Sequence, residues 1–335
     1  MANQRFINAI KLTEQNVPPI WFMRQAGRYH KHYQTLKKKY SFEELCKTPE
    51  LAAEVALGPV EEFDFDIAIL FSDILFILEA LGMNLKFNPG PIFEEELNKD
   101  NFQKYQNIEK AINFLEFQKK ALKKTRDKLP EDKSIIGFVG GPWTILNYAM
   151  GKKNLIGLNE NTFSLIFLKK TLIPLIKKNI QLQIQGGAEV VMILDSALGN
   201  IGEKNFEIYY SLLKSEFSES KQDKIAYYAK GINNQLYNKL IDLEFSGLGC
   251  DSSINLQNLL KNNQNKFIQG NFDENKMLFN RDDLKKELDI FCNQLLKLTS
   301  KERRGWICGL GHGINKNTNE ENVHLFIKTI RERFA

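Results

Sequence analysis

Two arginines stand four residues apart in Met23-Arg-Gln-Ala-Gly-Arg-Tyr29, in a chain where only nine of the 46 basic residues are arginine. A guanidinium is a planar fork that meets a carboxylate or phosphate with two parallel hydrogen bonds, which an ammonium cannot do. Arg24 and Arg28 therefore point to a ligand with several anionic groups, and a helix starting there would set both on one face. The plainer reading is a surface pair bridging to Asp or Glu. Asp73 closes the run Ala68-Ile-Leu-Phe-Ser-Asp73, and a second apolar stretch, 74–78, follows it. A carboxylate between two such runs loses water, and needs a cation or N–H donors to stay ionised. It suits stabilising a cation or accepting N–H bonds from a ligand; capping the next helix is the alternative.

Three further groups carry polar chemistry. His312, in Leu310-Gly-His-Gly-Ile314, has a glycine on either side, which lets backbone approach a ligand closely. Gly140-Gly-Pro-Trp-Thr144 leads to Tyr148, with Pro142 well placed to open a helix. Trp143 and Tyr148 read either as ligand contacts or as core aromatics with a polar tip. His30 and His32 stand in a basic, polar stretch and read as a solvated face; His324 reads as structural. Cys308 and His312 sit four apart, a single pair that is short of a zinc site.

What must position these residues is a repeated unit. Short apolar runs alternate with longer, charged, helix-like stretches such as 108–129. The runs are 20–23, 67–71, 135–139, 190–194, 225–228, 245–249, 267–268 and 306–308. Continuous apolarity suits parallel strands buried on both faces. Eight such units in one undivided chain predict an α/β fold, a (β/α)8 TIM barrel, as a single domain over residues 1–335. A doubly wound open sheet is the runner-up, but GxGxxG and GxxxxGK[ST] are both absent. In a barrel, functional groups sit at the carboxyl ends of the strands. Those positions hold Arg24 and Arg28, Ser72 and Asp73, Gly140–Trp143, Asp195 and Ser196, Asp251, Asn271, Asp273 and His312.

Composition excludes other classes. The chain of 335 residues is 43% hydrophobic and 26% charged, with a net charge of +5, a globular balance. No dense basic cluster marks nucleic-acid binding. The four cysteines (Cys46, Cys250, Cys292, Cys308) are scattered, which predicts reduced thiols and a cytoplasmic setting. The longest apolar run, 67–83, carries Asp73 and Glu79 and is too short to span a bilayer, so no membrane association is expected.

The blocks at 19–29, Asp66-Ile-Ala-Ile-Leu-Phe-Ser-Asp-Ile-Leu75, 137–144, 269–273 and 309–314 resemble, in order, the motifs of the uroporphyrinogen decarboxylase family. The resemblance runs from about residue 4 to the end. It implies a (β/α)8 barrel, homodimers with facing clefts, and a lyase needing no metal or organic cofactor. The implied reaction converts the four acetate side chains of uroporphyrinogen III to methyl groups, giving coproporphyrinogen III in haem biosynthesis. Carried over by motif, the substrate contacts are Arg24, Gln25, Ala26, Gly27, Arg28, Asp73, Tyr148, Ser196 and His312, with Phe42 from Ser41-Phe-Glu-Glu-Leu-Cys46; Asp73, Arg24 and Arg28 are the catalytic set. The sequence departs from the pattern at 30–34, at Leu78 and at 315–318, where prolines are usual. Two alternatives stay in view. A corrinoid-dependent methyltransferase of the same superfamily would carry a His-x-Cys zinc motif, absent here; a catalytically silent barrel would have no reason to keep Arg24, Arg28, Asp73 and Tyr148 together.

Overall fold

The computed structural model describes residues 2–88, 90–151, 157–159, 161–218 and 222–335. Strand β1 (Ile67–Ile69) opens the sheet, and a small antiparallel ribbon, β2 (Leu85–Phe87) with β3 (Pro91–Phe93), follows it. The sheet continues through β4 (Ser134–Gly140), β5 (Val190–Asp195), β6 (Gln222–Ala229), β7 (Phe245–Cys250), β8 (Phe267–Phe272) and β9 (Trp306–Leu310). All neighbours are parallel, in the order β1-β4-β5-β6-β7-β8-β9, with helices on the connections. The sheet curls. Its concave face holds Ile67 and Ile69, Ile136, Val190 and Met192, Ala226 and Tyr228, Phe267 and Ile307, packed with Trp21 and with Phe6 and Ala9 of the first helix. The alternate residues, among them Ala68, Ile135, Val191, Tyr227 and Ile268, face the helices in the larger core. Two apolar faces per strand account for the unbroken runs in the sequence.

Seven regular strands form where eight runs were expected. The remaining run, at 20–23, makes one isolated bridge, Ile20 to Cys308. Cys308 N–H donates to Pro19 O at 2.9 Å and Trp21 N–H to Cys308 O at 3.3 Å. On the β1 side, Asp66 N–H donates to Ile20 O at 3.1 Å, and side chains take over the rest. Ile20 N–H donates to Asp66 Oδ2 (2.9 Å) and Phe22 N–H to Gln25 Oε1 (3.1 Å), while Gln25 Nε2 donates to Ile67 O (2.9 Å). Pro19 has no N–H to give a ladder, so this stretch lies between β9 and β1 without becoming a full strand.

Two local expectations are corrected. The stretch 108–129 is two helices, Ile108–Phe114 and Glu116–Lys128, separated at Leu115. His30 is fully buried, its ring against Phe63 (5.0 Å) and Tyr29 (6.0 Å), and burial pushes its pKa down. His32, half-buried, lies over the Cα of Gly58. An aromatic neighbourhood has drawn both histidines out of solvent. His324 stays at the surface, 3.4 Å from Glu62.

Candidate active site

The two arginines are not on a helix. Residues 23–30 form turns and bends, and the helix starts only at Lys31. Arg24 has φ of +61°, a left-handed conformation that ends the strand-like run abruptly. Both arginines are exposed, while Gln25 and Ala26 beside them are buried and Gly27 is half-buried. Gln25 is the stitch between Phe22 and Ile67, and its carbonyl accepts from Tyr29 Oη at 2.8 Å. It positions the turn. The arginines also part company electrostatically: Arg24 acts on Asp73 and His312, whereas Arg28 acts on Tyr33.

Asp73 lies in the loop between β1 and the helix Phe76–Ala80. Its Oδ1 accepts Leu75 N–H at 2.8 Å, a tight side-chain turn rather than a helix cap. Among the described residues, Oδ2 has no hydrogen-bond partner. Burial raises the Asp73 pKa, opposed by the Leu75 N–H and the charge of Arg24. Phe71 and Phe76 flank the loop, and Phe42, first in the helix Phe42–Lys47, packs its ring at 6.1 and 6.5 Å from them. Phe42 thus belongs to the apolar surround of the Asp73 loop.

At the far side of the sheet, His312 follows β9 and stacks on Tyr228, ring centroids 6.2 Å apart and planes 12° apart. Burial, Lys230 and Arg24 push its pKa down to about 4, against the pull of Asp251, so the imidazole is neutral at neutral pH. Lys230 stands two residues beyond Tyr228, with Nζ 3.7 Å from Glu274. Asp251 fixes this rim by accepting Gly231 N–H at 2.6 Å and Ser253 N–H at 2.9 Å. Asn271 donates to the carbonyls of Asp251 and Ile254, and Asp273 accepts Asn275 N–H. These last two shape loops. Lys230 and Tyr228 were not nominated by the sequence, although position at a strand's carboxyl end is the signal that marks them.

Between these poles, Tyr148 lies half-buried in the helix Pro142–Ala149, and Ser196 is half-buried in the turn after β5. Asp195 is different. It follows Val191 and Ile193 on the helix-facing side, fully buried. Oδ1 accepts Thr144 N–H (2.7 Å) and Thr144 Oγ1–H (2.6 Å); Oδ2 accepts the hydroxyls of Tyr209 (2.5 Å) and Tyr227 (2.6 Å). A methyl on Gly141 would meet Asp195 Cγ at 2.3 Å. Asp195 is a structural anchor under the rim. Trp143 beside it is buried in the core. Cys308 faces the helices, one residue out of phase with the inward Ile307, and does not join His312 in a pair. Among the described residues no three His, Cys, Asp or Glu side chains converge as metal ligands, and no helix is long and apolar enough to cross a membrane.

A curled parallel sheet with ionisable groups gathered at the carboxyl ends of its strands defines the class: an α/β enzyme of barrel-like build. The family model "Uroporphyrinogen decarboxylase (URO-D)" matches residues 1–333. The chain belongs to the uroporphyrinogen decarboxylase family, which is one of carboxy-lyases. Relatives named uroporphyrinogen decarboxylase include those of Orientia tsutsugamushi (35% identical, 98% of each chain covered), Rickettsia bellii (32%, 95% of each) and Francisella philomiragia (30%, 98% of each). Among solved structures, a methyltransferase from Methanosarcina mazei superposes with a TM-score of 0.75 at 19% identity over 99% of each chain. At that identity the likeness is one of fold.

Proposed function

We propose that this chain carries out the reaction its family is named for, removing the acetate carboxyl groups of uroporphyrinogen III to leave methyl groups and coproporphyrinogen III, a step of haem biosynthesis. The observation that carries the reading is Asp73: a carboxylate held in an apolar loop, one oxygen tied to Leu75 and the other open, under the influence of Arg24. The substrate offers what this group lacks. Its pyrrole N–H groups are donors for Oδ2, and its carboxylates are partners for the guanidinium forks of Arg24 and Arg28.

Decarboxylation needs a sink for the electron pair left by carbon dioxide. Protonation of a pyrrole ring carbon makes the ring that sink, and the ring then carries positive charge. A carboxylate ~4 Å away attracts that charge by about 4 kcal/mol at an effective dielectric of 20. Because the charge appears only on the way to the transition state, the attraction speeds the reaction instead of merely tightening binding. Loss of carbon dioxide returns the electrons to the ring and leaves an exocyclic methylene. A proton adds there to make the methyl group, and the ring carbon then gives back the proton it took, so each carboxylate lost is replaced by one proton. The ring holds the electrons itself, so the scheme calls for no metal or organic cofactor. Tyr148, Ser196 and Phe42 line the remaining approach to the substrate.

With the stretch at 19–23 counted as an eighth stave between β9 and β1, the sheet reads as a closed (β/α)8 barrel. The cleft at its carboxyl rim is then the substrate site, in a cytoplasmic homodimer. The direct test is anaerobic incubation of the purified chain with uroporphyrinogen III, followed by oxidation and separation of products by carboxyl number. Products with seven to four carboxyls are expected; an unchanged octacarboxylate overturns the reading.

A further inference from the structure

Tyr228 and His312 form a pair whose protons can be counted. Tyr228 Oη lies 2.8 Å from Gly311 O and 3.1 Å from His312 Nδ1. A carbonyl oxygen only accepts, and two oxygens 2.8 Å apart repel unless a proton lies between them. The single hydroxyl proton therefore goes to Gly311 O. Towards His312 the Tyr228 oxygen has only lone pairs to offer, so Nδ1 must bring the proton. A neutral imidazole carries one N–H, which leaves Nε2 with a lone pair. Among the described residues Nε2 has no hydrogen-bond partner. The ring is held in this setting by stacking on Tyr228, itself inward-facing and buried on β6.

We propose that Tyr228 is a positioning residue that keeps His312 in the Nδ1-protonated tautomer, so that Nε2 meets the substrate as an acceptor for a pyrrole N–H. The inference rests on the porphyrinogen reading above. On that substrate the side-chain carboxylates are acceptors only, and the ring N–H groups are the donors. An unprotonated Nε2 can pair with the second and not with the first. The charged groups facing His312 fit this division. Arg24 from the turn at 23–30 and Lys230 from the end of β6 oppose its protonation, Asp251 after β7 favours it, and Glu274 engages Lys230. Arg24 is thus left for a carboxylate, and the imidazole for the ring.

The test uses the full chain labelled with 15N-histidine and no ligand. Long-range 1H–15N correlation spectra at pH 7 report which ring nitrogen carries the proton, and His312→Gln assigns the signals. The expected wild-type signature is a protonated Nδ1 and a bare Nε2. Tyr228→Phe keeps the stacked ring and removes the hydroxyl; its His312 signals should move towards the Nε2-protonated form, and kcat/KM for uroporphyrinogen III should fall about five- to tenfold, the weight of one hydrogen bond. A merely structural role for Tyr228 would leave the tautomer untouched. A wild-type spectrum with Nε2 protonated overturns the proposal. So does Tyr228→Phe with an unchanged spectrum and full turnover. A wild-type chain that does not decarboxylate uroporphyrinogen would bring down the assigned reaction, while the spectrum would still decide the tautomer.

Discussion

Arg24 lies across the Cα of Gly313: a methyl group built there would come within 2.5 Å of Arg24 Cδ and 2.9 Å of Cγ. The glycine after His312 is thus the floor on which the first arginine rests, and Ile314 N–H ties the same stretch to Met23 O at 3.0 Å. Gly313→Ala should displace Arg24 without unfolding the chain, because the atoms it meets belong to a flexible, exposed side chain. A shift of about 1 Å in a substrate-positioning group costs up to ~100-fold. A fall of that order in kcat/KM with an unchanged urea midpoint is the expected result of paired kinetic and unfolding measurements.

Asp73 is raised in pKa by burial, so its ionised form is a burden to the unliganded fold. Asp73→Asn keeps an oxygen for the Leu75 N–H and removes the charge. Thermal unfolding should move up by ~2 °C, while turnover drops by about 100-fold or more. An unchanged rate in a well-folded variant would remove Asp73 from the chemistry.

The pH response follows from His312. Its folded pKa of about 4 lies below the unfolded value of about 6.5. Between those values the unfolded chain holds more protons than the folded one, so this group makes stability fall as pH drops from about 6.5 towards 4, and adds no further change below that. Arg24→Gln removes one of the two cations opposing protonation. NMR titration should show the His312 pKa rising, and urea unfolding at pH 7 and pH 5 should show a smaller difference than in the wild type.

Asp195 predicts a loss of another kind. Asp195→Ala strands the Thr144 N–H and three hydroxyl groups in a dry core, each unmet donor costing about 1–3 kcal/mol. Urea unfolding should report a destabilisation of ~3 kcal/mol or more, or the chain should fail to accumulate. Any activity that survives should keep its KM, since the residue faces the helices and not the concave side.

Dialysis against a strong chelator should leave decarboxylation intact, with metal content read by mass spectrometry. Stoichiometric zinc whose removal abolishes turnover would reverse the assignment in favour of metal-dependent transfer chemistry.

Much of the fold is legible in the sequence because each strand is buried on both faces and writes itself as an unbroken apolar run; β5 at 190–195 and β9 at 306–310 are clear cases. The stretch at 20–23 has the same signature but pairs at one point, since a proline and two side chains replace the ladder. Spacing alone suggested a helix at Arg24; a left-handed φ at that residue is set by tertiary contacts and leaves no trace in residue types. His30 reads as solvated from its basic neighbours, yet Phe63, 33 residues on, buries it. Asp195 shares the strand-end position of the candidate site residues, and only its parity along β5 turns it to the helices. Lys230 has the right position but, as one lysine among dozens, no contrast to announce it.

The seam at 19–21 also orders events during synthesis. These residues leave the ribosome long before the backbone of Cys308, which receives them and lies more than 280 residues further along the chain. Throughout that interval both margins of the growing sheet present unmatched N–H and C=O groups, and Trp21 and Phe6 wait for Ile307 and Phe267. Unpaired margins of this kind attract strands from other copies. The sheet therefore stays open until β9 has been made, and it is during that interval that another copy could pair with it in place of its own strand.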